Sequence, residues 1–195
     1  MVNIHKTLAI VLLGISVSAP APLWASGPQT AVSTSAEAIA IQQFDEAIAH
    51  YMALRHRLRA EVSGPVENSS STQLTNASDA LAGAIQRARQ DAQIGSIFNE
   101  KVAAVIKRRI ANAVLTEHLV PVLADIDDDG AGGPSPKVHL RLPVSAQMAT
   151  MPPALLKVLP QLPKELEYRI AGRYLILRDV DASLLLDYIP LAVPR

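Results

Sequence analysis

The stretch LEYRIAGRYLILRDVDASLLLDYI, residues 166–189, decides the fold because it contains three short runs typical of β-strands, separated by two turns. In an extended chain Leu166, Tyr168 and Ile170 lie on one side, opposite the charged residues between them. Turn-forming residues separate this run from two further apolar runs. The pattern therefore predicts a small antiparallel meander. Its expected strands are 166–170, 174–178 and 184–189.

Upstream of this stretch, apolar residues recur three times at the spacing of an amphipathic helix. The first helix is expected to begin after Thr34, which opens a capping-box sequence. The second is expected over 78–94, ended by Gly95, and the third from Asn99 onward. Because so small a sheet needs a second layer to be stable, the sequence predicts an α+β fold in which these helices pack on the meander.

Two shorter elements are expected between the helices and the meander. Val138, Leu140 and Leu142 alternate with polar residues and predict a short strand. Pro152 and Pro153 open one or two turns of helix, since proline at a helix start gives up no hydrogen bond.

The first 25 residues have the features of a secretory signal peptide. Lys6 precedes an uncharged run at 8–17, which is shorter than the roughly 20 apolar residues that span a bilayer. Prolines and small residues follow, and we expect cleavage near Ala25. The predicted mature protein is therefore periplasmic or secreted and has no transmembrane segment. The full expected division is a signal peptide at 1–25, a flexible leader at 26–35, a helical region at 36–124, an acidic Gly/Pro loop at 125–137 and a β-rich region at 138–195.

Composition narrows the classes of function. The 18 basic residues balance the 18 acidic ones, whereas dedicated nucleic-acid binders carry a basic excess. The absence of cysteine excludes disulfides, thiolate metal sites and a cysteine nucleophile. We therefore expect an unknown protein or envelope partner and no nucleic acid.

An acidic motif is the sharpest candidate for a site. Asp125, Asp127 and Asp129 take positions 1, 3 and 5 of a calcium loop, and Gly130 takes position 6. Position 12, where a bidentate glutamate completes the shell, is Pro136. Two interpretations stay open: a Ca²⁺ site that makes the protein metal-responsive, or an acidic loop that joins the two halves.

Catalytic motifs are absent from the sequence. It has no serine nucleophile elbow, no phosphate-binding loop and no His-Glu-x-x-His zinc motif. Asp179 and Asp181 flank a predicted turn, where aspartate commonly accepts hydrogen bonds from local backbone N–H groups. We therefore expect a non-enzymatic interaction protein without a cofactor other than the Ca²⁺ considered above. An enzyme with an unrecognised site is the further alternative.

Two stretches carry a resemblance. Residues 95–103 read GSIFNEKVA, and residues 159–182 read LPQLPKELEYRIAGRYLILRDVDA. They resemble a family of uncharacterised exported bacterial proteins that have a signal peptide, a helical first half and a Pro-rich tail of this strand pattern. The resemblance implies location and layout, and it brings no activity and no functional residues.

Overall fold

Helices occupy the first part of the chain and strands its end, which confirms the α+β fold. The computed structural model describes residues 27–62, 70–124, 135–142 and 151–194. The helices are α1 (Gly27–Glu61), α2 (Ser71–Ala88), α3 (Glu100–Thr116) and α4 (Pro153–Val158), with a further short helical stretch at 120–124. The strands are β1 (Leu166–Ala171), β2 (Tyr174–Asp179) and β3 (Leu184–Ile189).

The three strands form an antiparallel sheet in chain order, as the meander prediction requires. Ala171 pairs with Tyr174 beside a two-residue turn. Gly172, the first residue of that turn, has a φ of 53°, which fits a type II′ turn and spares a side chain the strain of this region. Between β2 and β3 the register shifts after Leu177, so that one residue of β3 bulges out of the ladder.

One hydrophobic core joins the helices to the sheet. Phe44 of α1 stacks on Phe98, which precedes α3, with ring centroids 5.6 Å apart. Core residues without exposed surface come from all four helices and from the sheet: Phe44, Leu81, Ile85, Ile106, Ile110, Leu155, Leu175, Leu177, Leu184 and Leu186. The meander therefore has the partner layer that its size demands.

The first helix begins earlier than the sequence suggests. α1 starts at Gly27, inside the stretch 26–35 predicted as a leader, and Thr34 lies within the helix. The capping role predicted for Thr34 is therefore wrong. Adding a residue to an existing helix costs little, because each one brings a backbone hydrogen bond, and the strong helix former Ala31 favours the extension.

The second helix also begins earlier than expected, because Ser70 rather than Ser78 is its N-cap. The Ser70 hydroxyl accepts the Gln73 N–H at 3.3 Å, and the Gln73 side chain accepts the Ser70 N–H at 2.7 Å. This reciprocal pair is a capping box, which satisfies two of the N–H groups that a helix start leaves open. Residues 71–77, which precede the expected start of this helix at 78, are therefore helical as well.

α2 ends at Ala88 and not at the predicted residue 94, and a carboxylate from the sheet binds the turn that leads into α3. Asp187 of β3 is fully buried. It accepts the backbone N–H groups of Gly95 at 2.9 Å, Ile97 at 2.7 Å and Phe98 at 2.9 Å. These N–H groups are thereby withdrawn from any helix, and the chain turns between α2 and α3 instead.

The strand predicted at 138–142 is only partly formed. The chain runs beside β3 and exchanges backbone hydrogen bonds with it, His139 N–H to Leu185 O and Leu185 N–H to Leu140 O, both at 2.9 Å. A single bridge, between Arg141 and Leu184, has strand geometry. His139 has a φ of 69°, which an extended strand does not allow, and so the segment bends.

The starts of α3 and α4 follow their sequence signals. The Asn99 side chain accepts the Val102 N–H at 3.0 Å, as expected of the N-cap of α3. Pro153 occupies the first turn of α4, where its missing N–H costs nothing. These two boundaries depend on neighbouring residues alone, which is why the sequence predicts them.

Candidate functional site

A cleft of about 420 Å³ lies between the region of α4 and the edge strand β1. We call it the β1 cleft; its apolar wall consists of Met151, Leu156, Pro160, Leu162 and Leu166. Its polar part consists of Gln161, Glu167, Tyr168 and Arg169. Leu156 is 47% exposed, although leucine is usually a core residue. The volume and the apolar wall are typical of sites that hold small ligands.

Prolines shape this cleft. Leu159, directly after α4, has an extended backbone, and Pro160 and Pro163 keep the following chain out of a helix. The Tyr168 hydroxyl donates to the Pro160 carbonyl at 3.1 Å, and the Leu166 N–H donates to the Pro163 carbonyl at 3.0 Å. These two bonds hold the proline segment against β1 and fix the width of the cleft. Burial, together with the charge of Asp45, raises the pKa of Tyr168, so its hydroxyl stays a donor.

A carboxylate at the polar end of the β1 cleft binds two guanidinium groups. Glu167 Oε2 accepts from Arg169 Nη2 at 2.8 Å, and Glu167 Oε1 accepts from Arg178 Nη1 at 2.7 Å. Glu167 and Arg178 are direct partners across β1 and β2, which brings the second guanidinium to the same carboxylate. One carboxylate thus serves two guanidinium groups. The Nε atoms of both arginines are buried and have no hydrogen-bond partner in the described chain.

A second cleft, of about 540 Å³, lies between α3 and α4 and is more polar. Its cation Arg109 already binds Glu37 Oε1 at 2.8 Å and the Val158 carbonyl at 3.2 Å. The hydrogen bond from Arg109 lowers the pKa of Glu37 despite partial burial, and Arg108 adds to this effect. Lys157 is a second cation of this lining, and only Ala113, Ala154 and Val158 are apolar, so this cleft lacks the apolar wall of the β1 cleft.

A buried ion pair ties α1 to the end of β2. Arg55 is 3% exposed and donates from Nε to Asp179 Oδ2 at 2.7 Å, and from Nη2 to Asp181 at 2.6 Å. The Tyr51 hydroxyl also donates to Asp179 Oδ2, at 2.7 Å. Asp179 Oδ1 accepts the Ala182 N–H at 2.8 Å, which confirms the turn role expected of this aspartate. Burial opposes the charge of Arg55, but the hydrogen bonds and charges of the two aspartates raise the pKa of its guanidinium.

Tyr51, Arg89 and His139 form a second buried polar cluster. The Arg89 guanidinium lies 5.4 Å from the centroid of the Tyr51 ring, within cation–π range. Arg89 Nη1 and His139 Nε2 are buried without a hydrogen-bond partner among the described residues. Burial, followed by the charge of Arg89, lowers the pKa of His139. Since neither atom is exposed to solvent, we expect these side chains to affect the stability of the fold and not to contact a ligand.

The predicted metal ligands Asp125, Asp127 and Asp129 lie outside the described residues. The residues of the β1 cleft were not predicted as a site. Alternation placed Glu167 and Arg169 on the face of β1 opposite Tyr168, but apart from Leu166 the apolar wall comes from residues 151–162, before β1. One sequence feature could have indicated this site. It is the proline-rich run 160–163, which directly precedes a strand with charged residues on one face.

Comparisons with known proteins add no family: no family model, no curated protein and no solved structure matches the chain. Within the described ranges, no helix combines the length and the hydropathy that crossing a bilayer requires. Among the same residues, no three His, Asp or Glu side chains converge as a metal ion would need. The β1 cleft, with its apolar wall and polar end, is the best candidate for a functional site among the described residues.

Proposed function

We propose that this is an exported bacterial protein that acts by binding, without catalysing a reaction, and that it engages an envelope component or partner through the β1 cleft. The observation that carries the proposal is the apolar wall of the cleft, with Leu156 47% exposed at a concave surface. Exposed leucine in a cleft with a polar end is typical of a binding site. The groups at that end, Glu167 and Arg169, are already paired with each other, which suits recognition better than proton transfer.

A photo-crosslinking amino acid at Leu156 tests the binding role in living cells. Leu74 of α2 is the matched control, since it is a leucine of similar exposure, 51%. We expect a discrete adduct at position 156 that is absent at position 74. No adduct at 156, or the same adducts at both positions, would contradict the proposal.

Export is proposed from the sequence of residues 1–25. The short uncharged run after Lys6 supports it, as does the layout shared with the exported family described above. An absence of cysteine is compatible with a bacterial periplasm, where a domain of this size needs no disulfide.

Tryptophan offers a direct readout of that export. The chain has one tryptophan, Trp24, and cleavage near Ala25 removes it. We expect protein recovered from the periplasm or the medium to show tyrosine but no tryptophan fluorescence, and an intact mass that matches loss of 1–25. Cytoplasmic protein that keeps the Trp24 signal would contradict export.

A further inference from the structure

We propose that the ligand of the β1 cleft is a fatty-acid-like molecule, an alkyl chain that ends in a carboxylate, and that Arg169 binds the carboxylate. This inference rests on the proposed binding function and adds the chemical class of the ligand. Three features support it: the two guanidinium groups that share one carboxylate, the exposure of the Arg169 side chain in the cleft, and the apolar wall.

Charge complementarity points to an anion. Both oxygens of Glu167 are occupied, one by Arg169 and one by Arg178. Two guanidinium groups and one carboxylate leave one positive charge in this trio. A ligand carboxylate would balance that charge, whereas an ammonium group would increase the excess.

Arg169 is the arginine that a ligand can reach. Its side chain is 27% exposed and lines the cleft, while the side chain of Arg178 is 6% exposed and also donates to Ser183 Oγ at 3.2 Å. Among the described residues, Arg169 donates only from Nη2, to Glu167. A planar guanidinium with open donors matches the two oxygens of a carboxylate.

The wall of the cleft favours an alkyl chain over a peptide. Five apolar side chains line it, and its few polar groups include Tyr168, whose hydroxyl is already used on Pro160. A peptide that entered the cleft would bury amide groups without partners, which costs free energy, whereas an alkyl chain has none to bury.

Calorimetric titration of the full mature chain with decanoate, decanol and decylamine tests the charge requirement. We expect decanoate to bind at least tenfold more tightly than decanol, and decylamine to bind more weakly still. In the series hexanoate, octanoate and decanoate, each added methylene should improve affinity about threefold to fourfold. Equal affinity for decanoate and decanol would overturn the proposal.

Substitutions locate the bound carboxylate. Arg169→Gln should lower decanoate affinity about tenfold to hundredfold and leave decanol unchanged. Arg57→Gln is the matched control, because Arg57 is an exposed arginine on α1. Should Arg169→Gln fail to fold, Leu156→Glu serves instead: its position is half exposed, and its new charge should repel decanoate. Unchanged decanoate affinity in either folded variant would contradict the assignment.

The outcomes separate this inference from the binding function. Crosslinking at position 156 without any binding of decanoate would leave the binding role in place and reject the ligand class. Tight binding of a tripeptide that ends in leucine, in preference to decanoate, would reject it as well and would assign the cleft to peptides.

Discussion

Arg55 shows how a single side chain can fix two distant parts of this fold. It lies 124 positions before Asp179, yet its guanidinium and that carboxylate meet in the interior. Moving both charges out of water is unfavourable, and the hydrogen bonds that the Tyr51 hydroxyl and the Ala182 N–H donate to Asp179 offset part of that cost. The pair therefore sets where α1 lies on the sheet more than it adds net stability.

Removing one member of this pair should destabilise the folded protein strongly. We expect Arg55→Ala to lower the free energy of unfolding by about 3–5 kcal/mol, since Asp179 would stay buried without its cation. Arg57→Ala, at an exposed position of the same helix, should change it by less than about 0.5 kcal/mol. Urea unfolding measures both variants, and similar losses in the two would contradict a special role for Arg55.

His139 should make the protein less stable in mild acid. Its lowered pKa means that the folded state holds it neutral, while the unfolded chain takes up the proton below about pH 6.5. Stability should thus fall as the pH drops from 7.5 to 5.5. His139→Asn, which tolerates the positive φ, should flatten this dependence, whereas exposed His50→Asn should not. Thermal unfolding across this range is the measurement, and an unchanged slope in His139→Asn would count against the assignment.

At the scale of elements, the sequence predicted what local patterns determine. β1 follows from the alternation in 166–170, β2 and β3 follow from apolar runs bounded by turn residues, and α3 follows from the cap at Asn99. The turn before α3 could not be predicted, because the carboxylate that binds its N–H groups comes from Asp187, 90 positions away from Ile97. The start of α2 was predictable in principle, since Ser70 and Gln73 form a local capping-box sequence. The β1 cleft brings together α4, a proline segment and β1, and sequence spacing does not indicate that they meet.

The capping box of α2 should contribute measurably to the stability of the protein. Ser70→Ala removes the acceptor for the Gln73 N–H and should cost about 0.5–1 kcal/mol of stability. Ser71→Ala, one residue later and equally exposed, should have little effect. Thermal unfolding compares the two. If they lose the same stability, the box does not hold this helix start.

At the scale of the molecule, the shared core should make the helices and the sheet unfold together. Helical circular dichroism and the near-ultraviolet signal of the tyrosines should have the same midpoint, since three of the four tyrosines, Tyr168, Tyr174 and Tyr188, lie in the sheet. A Tyr51→Phe background removes the signal of the fourth tyrosine, which lies on α1. Phe44→Ala, which empties a fully buried site on α1, should lower both midpoints by the same amount, for a loss of about 3–5 kcal/mol. Tyrosine signals that outlast the helical signal would show two independent units.

Asp187 also determines when the protein can finish folding. A ribosome adds about 5–20 residues per second, so the 90 positions between Ile97 and Asp187 take about 5–18 s to synthesise. During that interval α2 and α3 have emerged, but the turn between them lacks the carboxylate that gathers its N–H groups. The nascent chain therefore reaches its final arrangement only once its last strand has been translated, and a message truncated before codon 187 would yield a chain in which the N–H groups of Gly95, Ile97 and Phe98 lack this acceptor.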